Sequence, residues 1–206
     1  MSESEPALTT FLLIRHVAHA VQGHRMVGRM SGIGLGEEGR DQLTRLRARL
    51  QDTEAQAIYA SPLERAAETA AALGEALGLP VDTVEGLIEL DYGDWTGRTV
   101  EELESEPRWP AWNSFRSGTR VPGGETMIEV QVRVLQLIER LQERHPAGRV
   151  LLVTHGDVIR TLLLHYLGSP TDFIHRLVVD PGSVSTVAVG EHGPRILGIN
   201  DSSVPA

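Results

Sequence analysis

Two short apolar runs, each followed by a histidine, constrain the fold of this chain most. The first run occupies residues 11–14 and leads into Arg15-His16; the second occupies residues 150–153 and leads into Thr154-His155. Continuous apolar runs of this length are typical of parallel strands that are covered on both faces of a sheet. Because open α/β sheets bind ligands at the carboxyl ends of their strands, we expect the two histidines to meet at one site.

The rest of the chain alternates between strand-like and helix-like segments, which favours an α/β fold. We predict a three-layer sandwich, in which a mostly parallel central sheet is flanked by helices. Pro62 is predicted as the first residue of a helix capped by Ser61 and ended by Gly78. The other predicted elements are strands at residues 57–60, 177–179, 183–189 and 196–199, and helices at 38–50, 100–106, 125–144 and 157–167.

Residues 1–206 are expected to form one domain, since this length suffices for a substantial core. An irregular stretch at about residues 95–124 is predicted to be an insertion that covers the site. It contains all three tryptophans, for which packing of the insertion is the expected role.

Composition excludes several classes of function. The net charge of −9 argues against general nucleic-acid binding, which needs a basic face. The chain has no cysteine, which rules out disulfides, thiolate catalysis and cysteine-bound metals. No apolar stretch approaches the roughly 20 residues that span a bilayer, and the N-terminus lacks a signal-peptide pattern. A cytoplasmic protein with no nucleic-acid or membrane partner is therefore expected, and a homodimer is left open.

Five motifs in chain order resemble those of the histidine phosphatase superfamily, the phosphoglycerate mutase-like proteins. The resemblance covers about residues 10–200 and is to the phosphatase branch, because the acid segment differs from that of the mutases. The motifs are residues 12–16 (LLIRH), 61–70 (SPLERAAETA), 89–97 (ELDYGDWTG), 122–125 (PGGE) and 154–156 (THG).

The resemblance implies a phosphomonoesterase that acts on a small phosphate ester and needs no cofactor or metal. In this family a histidine attacks phosphorus, which assigns the nucleophile to His16 and the general acid to Glu89. Arg15, Arg65 and His155 would bind the phosphoryl group, since the arginine fork matches phosphate oxygens. Nearby arginines should lower the pKa of His16, whereas burial or a neighbouring anion should raise that of Glu89. The full set of predicted substrate-binding residues is Arg15, Arg65, His155, His19, Gln22, Arg25 and Gly156.

The loop after the first histidine departs from the family pattern. The family usually continues Gly-Glu-Thr or Gly-Glu-Ser, whereas this chain has Val17-Ala18-His19, with Gln22 where an asparagine is usual. A protonated His19 or the Gln22 amide could replace the missing hydroxyl donor. The change also motivates an alternative, a catalytically weak protein that binds a phosphate ligand on the same scaffold.

Three further alternatives concern the chemistry. A mutase-type phosphoryl transfer is one. Zinc held by His16, His19 and His155 is a second, although no carboxylate is placed to complete the ligand set. Asp91 is an alternative to Glu89 as the acid, while Asp94 and Glu125 are expected to have structural roles, Glu125 beside a helix N-terminus.

Overall fold

The computed structural model describes residues 8–23 and 25–203, which build around one six-stranded sheet. The strand order is β3-β2-β4-β1-β5-β6, in which the pairs from β3 to β1 are parallel and the last two pairs are antiparallel. The strands are β1 (Thr9–Arg15), β2 (Ala57–Ala60), β3 (Val81–Thr83), β4 (Arg149–Thr154), β5 (Val184–Gly190) and β6 (Gly193–Asp201).

Six α-helices lie along the described chain and, with the sheet, give three layers. They are α1 (Glu37–Leu50), α2 (Glu64–Leu77), α3 (Val100–Glu104), α4 (Trp109–Ser114), α5 (Met127–Arg144) and α6 (Gly156–Tyr166). Short 3₁₀ turns occupy Glu85–Leu87, Gly93–Trp95 and Thr171–Arg176. Within the described residues, no helix is long and apolar enough to cross a membrane.

Alternation along β1 divides the core between the two faces of the sheet. Phe11 and Leu13 join the cluster formed with α5, α6 and the insertion, whereas Leu12 and Ile14 join the cluster formed with α1 and α2. Because both faces are covered, the strand is apolar at every position rather than at every second one. This confirms the predicted three-layer sandwich.

The two histidine-bearing strands are neighbours. Strand β4 pairs with β1 in parallel register, with Arg15 opposite Thr154. The backbone N–H of His16 continues the ladder by donating to the carbonyl of Thr154 at 2.9 Å. The predicted meeting of the two strand ends is confirmed.

Several predicted boundaries need correction. Helix α2 begins at Glu64 and not at Pro62, since its N-cap is Leu63 and Ser61 contributes no side-chain cap. Helix α5 begins at Met127, because the sequence Thr126 to Glu129 forms a capping box that fixes the start there. Residues 177–179 are not a strand, since they follow a 3₁₀ turn and pair with no neighbour.

The stretch at about residues 95–124 packs through its aromatic residues, which is the role expected of its tryptophans. Trp95 and Trp112 are fully buried, and their ring centroids lie 5.4 Å apart in an edge-to-face arrangement. Trp109 stacks on Trp112 at the same centroid distance. Aromatic pairs of this geometry stabilise a segment that has little regular backbone structure.

Candidate active site

The imidazole of His16 is held in one tautomer by two neighbours. Its Nδ1 lies 2.8 Å from the carbonyl of Val17, which can only accept, so Nδ1 carries the proton. The guanidinium of Arg65 donates through Nε to the His16 Nε2 at 3.2 Å. The Nε2 atom is therefore unprotonated, and its lone pair accepts a hydrogen bond from a fixed positive charge.

Burial keeps this ring neutral. The pKa of His16 lies well below 6.5 because the ring is buried, and because Arg65 and then Arg15 repel a second positive charge. A neutral imidazole with a bare nitrogen is the form that attacks phosphorus.

The two arginines are anchored through backbone carbonyls and keep further donors available. Arg65, the second residue of α2, donates through Nη2 to the carbonyl of Gly28 at 2.7 Å. Arg15 donates through Nη1 to the carbonyl of Val179 at 2.6 Å. The Nη1 of Arg65 and the Nε of Arg15 are buried and have no hydrogen-bond partner among the residues that the structure describes. Fixed, desolvated donors of this kind suit a phosphate group.

His155 lies against His16. Its ring is fully buried, and its centroid is 5.1 Å from that of His16 in an edge-to-face arrangement. The pKa of His155 lies well below 6.5 because of burial and then of the proximity of His16. Its Nε2 is 2.7 Å from the hydroxyl of Ser61 at the end of β2. The residue Ser61 therefore contacts the site rather than capping a helix.

Glu89 is an acid with an unusually high pKa. Burial and then the negative charge of Asp157 raise the pKa of Glu89 to about 7, against the effects of the Leu90 N–H and the two arginines. Its Oε1 accepts the backbone N–H of Leu90 at 2.9 Å, and its backbone carbonyl accepts from Arg29 at 2.9 Å. A carboxyl group that is protonated near neutral pH can act as a general acid.

A cleft of about 120 Å³ opens on the predicted catalytic residues. Four of the five line it, namely Arg15, His16, Arg65 and Glu89, whereas His155 lies behind them and is fully buried. The other walls of the cleft are His19, Gln22, Gly23, Arg25, Met26, Val27, Gly28 and Tyr92. A larger cleft of about 400 Å³ between α1 and residues 180–182 contains none of the predicted site residues.

The loop at residues 17–22, which differs from the family pattern, contributes less to the cleft than its sequence predicts. Val17 and Ala18 are buried, and their backbone N–H groups donate to Thr69 and Gln42. His19 lines the cleft with its ring centroid 5.6 Å from that of His16. Burial, with Arg65 and then Arg15, lowers the pKa of His19 to about 4, which disfavours the protonated form at neutral pH.

The remaining predicted binding residues differ in placement. Gln22 lines the cleft, and Arg25 is exposed at its rim with Nη1 donating to the carbonyl of Gly97 at 2.8 Å. Gly156 opens α6 outside the cleft lining, where an added Cβ would lie 3.2 Å from Arg160 Nη1 and 3.5 Å from Arg15 Nε. Its role here is to leave room for those two guanidinium groups.

The sequence interpretation missed a buried polar cluster centred on Asp157. The Tyr92 hydroxyl donates to Asp157 Oδ2 at 2.8 Å, and Arg116 and Arg160 pair with its two oxygens at 3.3 and 3.2 Å. The two arginines and the Tyr92 hydroxyl keep the pKa of Asp157 below its usual value despite burial. Arg116 also lies 3.5 Å above the ring of Trp112, so the insertion is fastened to the site through this cluster. Only the position of an aspartate directly after the His-Gly motif could have indicated it.

The secondary candidates have structural contacts. Asp91 lies 3.7 Å from Arg29 and accepts the N–H of Gly93, so it is not directed at His16. Glu125 lies outside α5 and pairs with Arg29 at 2.8 Å and Arg133 at 3.4 Å, rather than interacting with the helix start. Arg29 thereby makes two contacts with the acid segment, at the Glu89 carbonyl and the Asp91 carboxylate, and ties that segment to Glu125.

No metal-binding group emerges from the part of the chain that the structure describes. Within residues 8–23 and 25–203, no three or more His, Asp or Glu side chains are arranged to hold an ion. For the suggested zinc site, both ring nitrogens of His16 already have protein partners.

Comparisons with known proteins agree on one family. The family described as histidine phosphatase superfamily (branch 1) has a sequence model that matches residues 11–202. Phosphoserine phosphatase 1 of Hydrogenobacter thermophilus is 31% identical over 189 residues, which cover 89% of this chain and 90% of that protein. Glucosyl-3-phosphoglycerate phosphatase of Mycolicibacterium vanbaalenii is 36% identical over 159 residues, covering 73% of this chain and 70% of that protein. The solved structure of Bacillus stearothermophilus YhfR has a TM-score of 0.86 and 32% identity, and covers 95% of this chain and 98% of that one.

Proposed function

The chain belongs to branch 1 of the histidine phosphatase superfamily, and on that premise we propose that it is a phosphomonoesterase that forms a phosphohistidine on His16. The observation that carries the proposal is the fixed tautomer of His16. Its Nδ1–H is held by the carbonyl of Val17, which directs a bare Nε2 toward Arg65 and the cleft. An unprotonated nitrogen at the cleft, beside two arginines, is the form that a nucleophilic histidine needs.

In the first step, Nε2 of His16 attacks phosphorus and forms an N–P bond, while the P–O bond to the leaving group breaks. Glu89 gives its proton to the leaving oxygen, so that an alcohol departs and Glu89 becomes ionised. Arg15 and Arg65 balance the charge on the phosphoryl oxygens throughout the displacement.

In the second step, the ionised Glu89 takes a proton from a water molecule as the water oxygen attacks phosphorus. The N–P bond breaks, inorganic phosphate leaves, and His16 and Glu89 return to their starting protonation states. The pKa of Glu89 at about 7 suits both steps, since the same group must give and take a proton near neutral pH.

The substrate that we propose is a small phosphorylated metabolite. The two curated relatives are named for phosphoserine and for glucosyl-3-phosphoglycerate, and the cleft of about 120 Å³ favours a compact group around the phosphate. Arg25 at the rim and the Gln22 amide would contact the part of the substrate beyond the phosphoryl group.

Mutase-type transfer is the second candidate within the same chemistry. It would use the same phosphohistidine but return the phosphoryl group to a hydroxyl of the substrate rather than to water. A phosphoglycerate substrate separates the two reactions, because a phosphatase releases inorganic phosphate while a mutase yields an isomer.

The direct test is phosphate release from p-nitrophenyl phosphate in excess EDTA between pH 5 and 8. We expect turnover by the wild type and by His192→Ala, which removes an exposed histidine far from the cleft, and none by His16→Ala. Loss of turnover in EDTA would refute the metal-independent reaction. Tight phosphate binding without turnover on any ester would instead support the phosphate-binding scaffold.

A further inference from the structure

The hydroxyl of Ser61 has two neighbours, and together they define its hydrogen bonds. Ser61 is fully buried at the end of β2, and its Oγ accepts the backbone N–H of Leu63 at 3.3 Å. Its other contact is the Nε2 of His155 at 2.7 Å, which is a short distance for a hydroxyl–imidazole bond. Within the described residues, these two groups are the hydrogen-bond partners of the hydroxyl.

The direction of the bond between Ser61 and His155 follows from counting donors. If His155 Nε2 carried the proton, Ser61 Oγ would accept twice, and its own O–H would be buried without an acceptor. His155 Nδ1 is buried without a partner among the described residues in either tautomer, so it does not decide between them. If Ser61 donates to Nε2 instead, the hydroxyl is satisfied and the proton of His155 lies on Nδ1. Since an unsatisfied buried polar group is costly, the second arrangement is favoured.

The Nδ1–H of His155 lies near other unpartnered donors that suit a phosphoryl group. Its ring contacts that of His16, and the buried unpartnered donors of Arg15 and Arg65 lie in the same region. Burial, and then the proximity of His16 and the arginines, lowers the pKa of His155 and keeps its ring neutral, so that its tautomer decides whether it can donate. Three unpartnered donors around one nucleophile form a cradle for the oxygens of a phosphoryl group.

We propose that Ser61 is a positioning residue, which donates to His155 Nε2 and thereby makes His155 Nδ1–H a hydrogen-bond donor to the phosphoryl group. The inference rests on the proposed function for its catalytic meaning, but the tautomer itself can be observed without turnover. Ser61 touches neither the substrate nor His16 in this role, and acts only through His155.

The test is the imidazole ¹⁵N spectrum of the full chain, in which the protonated ring nitrogen is identified by its one-bond coupling to hydrogen. His155 is assigned by the loss of its signals in His155→Gln. In the wild type we expect the proton on Nδ1, and we expect its resonance to move when inorganic phosphate is added. In Ser61→Ala we expect a mixture of tautomers and a fall in kcat/KM of roughly 10-fold, less than the 10²–10³ typical of removing a donor outright.

Thr154→Val is the matched control, because it also deletes a buried hydroxyl beside His155. The Thr154 hydroxyl donates to the carbonyl of Leu87 at 2.6 Å and not to the histidine. We expect this variant to be less stable but to keep the wild-type tautomer of His155. That result would show that loss of a buried hydroxyl near the site does not by itself change the tautomer.

Two results would overturn the inference: a wild-type His155 protonated on Nε2, or a Ser61→Ala protein with an unchanged tautomer and unchanged phosphate response. A wild type that hydrolyses no ester but shows the Nδ1 proton and its response to phosphate would support the inference and refute the proposed function. The two proposals therefore fail on different measurements.

Discussion

Replacing Glu89 by glutamine should stabilise the protein at alkaline pH while removing its general acid. Burial and the charge of Asp157 raise the pKa of Glu89 from 4.5 to about 7, which means that folding disfavours the ionised side chain. Glutamine has nearly the same shape, keeps an oxygen for the N–H of Leu90, and never ionises.

The size of the effect follows from proton linkage. Between pH 4.5 and about 7 the folded state holds a proton on Glu89 that the unfolded state has lost. The contribution of Glu89 to the free energy of unfolding therefore falls as pH rises through this range and is constant above it. The full difference corresponds to about 3 kcal/mol at roughly 1.4 kcal/mol per pH unit. Glu89→Gln should therefore match the wild type near pH 4 and exceed its free energy of unfolding by up to about 3 kcal/mol at pH 8.

Urea denaturation at pH 4, 6 and 8 measures this directly, provided that the slope with denaturant is unchanged. Glu129→Gln is the matched control, because a hydrogen bond from Arg120 lowers the pKa of Glu129 to about 2. Its stabilising effect is present above pH 4.5 and lost as pH falls toward 2, so this variant should lose a little stability at pH 8. A Glu89→Gln protein that is equally or less stable than the wild type at pH 8 would refute the assignment of a raised pKa.

Three other substitutions probe the site and its support. Asp157→Asn should shift the alkaline fall of kcat/KM on an alkyl phosphate to lower pH, since Asp157 raises the pKa of the general acid; an unmoved profile would contradict this. Arg65→Gln should reduce kcat by about 10³-fold or more, the scale for an arginine that stabilises a transferring phosphoryl group, and should raise the pKa of His16 as read by NMR titration. Gly93→Ala should cost more than about 2 kcal/mol in thermal unfolding, because φ is +44° and an added Cβ would clash with the carbonyl of Pro122.

The sequence predicts the sheet well where local patterns decide the structure. The apolar runs before Arg15 and Thr154 belong to strands buried on both faces, and burial of this kind leaves a continuous signal in the chain. Gly78 ends α2 in the left-handed conformation, as a glycine after the last apolar residue predicts.

The errors arise where tertiary contacts override local preference. Ser61 and Pro62 are typical of a helix N-terminus by local preference. In the structure, however, Ser61 Oγ is hydrogen-bonded to His155, and α2 begins at Glu64. The segment 177–179 is apolar enough for a strand, yet it lies after a 3₁₀ turn and its carbonyls at 177 and 179 accept from Arg160 and Arg15. Local propensity does not contain these distant partners.

The site residues were predicted from a family resemblance and not from their spacing, and the fold brings them together. His16, Arg65 and His155 lie on three different elements, and only the shared motif order connects them in the sequence. The cluster at Asp157 was missed because its partners Tyr92 and Arg116 lie 65 and 41 residues away, and Arg116 belongs to none of the five motifs.

Trapping the phosphoenzyme tests the central claim, that His16 Nε2 accepts the phosphoryl group. The protein is mixed with p-nitrophenyl phosphate, quenched in alkali to preserve phosphohistidine, digested and analysed by mass spectrometry. Glu89→Gln is included because the good leaving group of this ester needs little protonation, so that slower hydrolysis should increase the trapped fraction. We expect one phosphorylated peptide, with the modification on His16 and absent from His16→Ala. Turnover without any phosphorylated histidine, or phosphate on a residue other than His16, would contradict the mechanism.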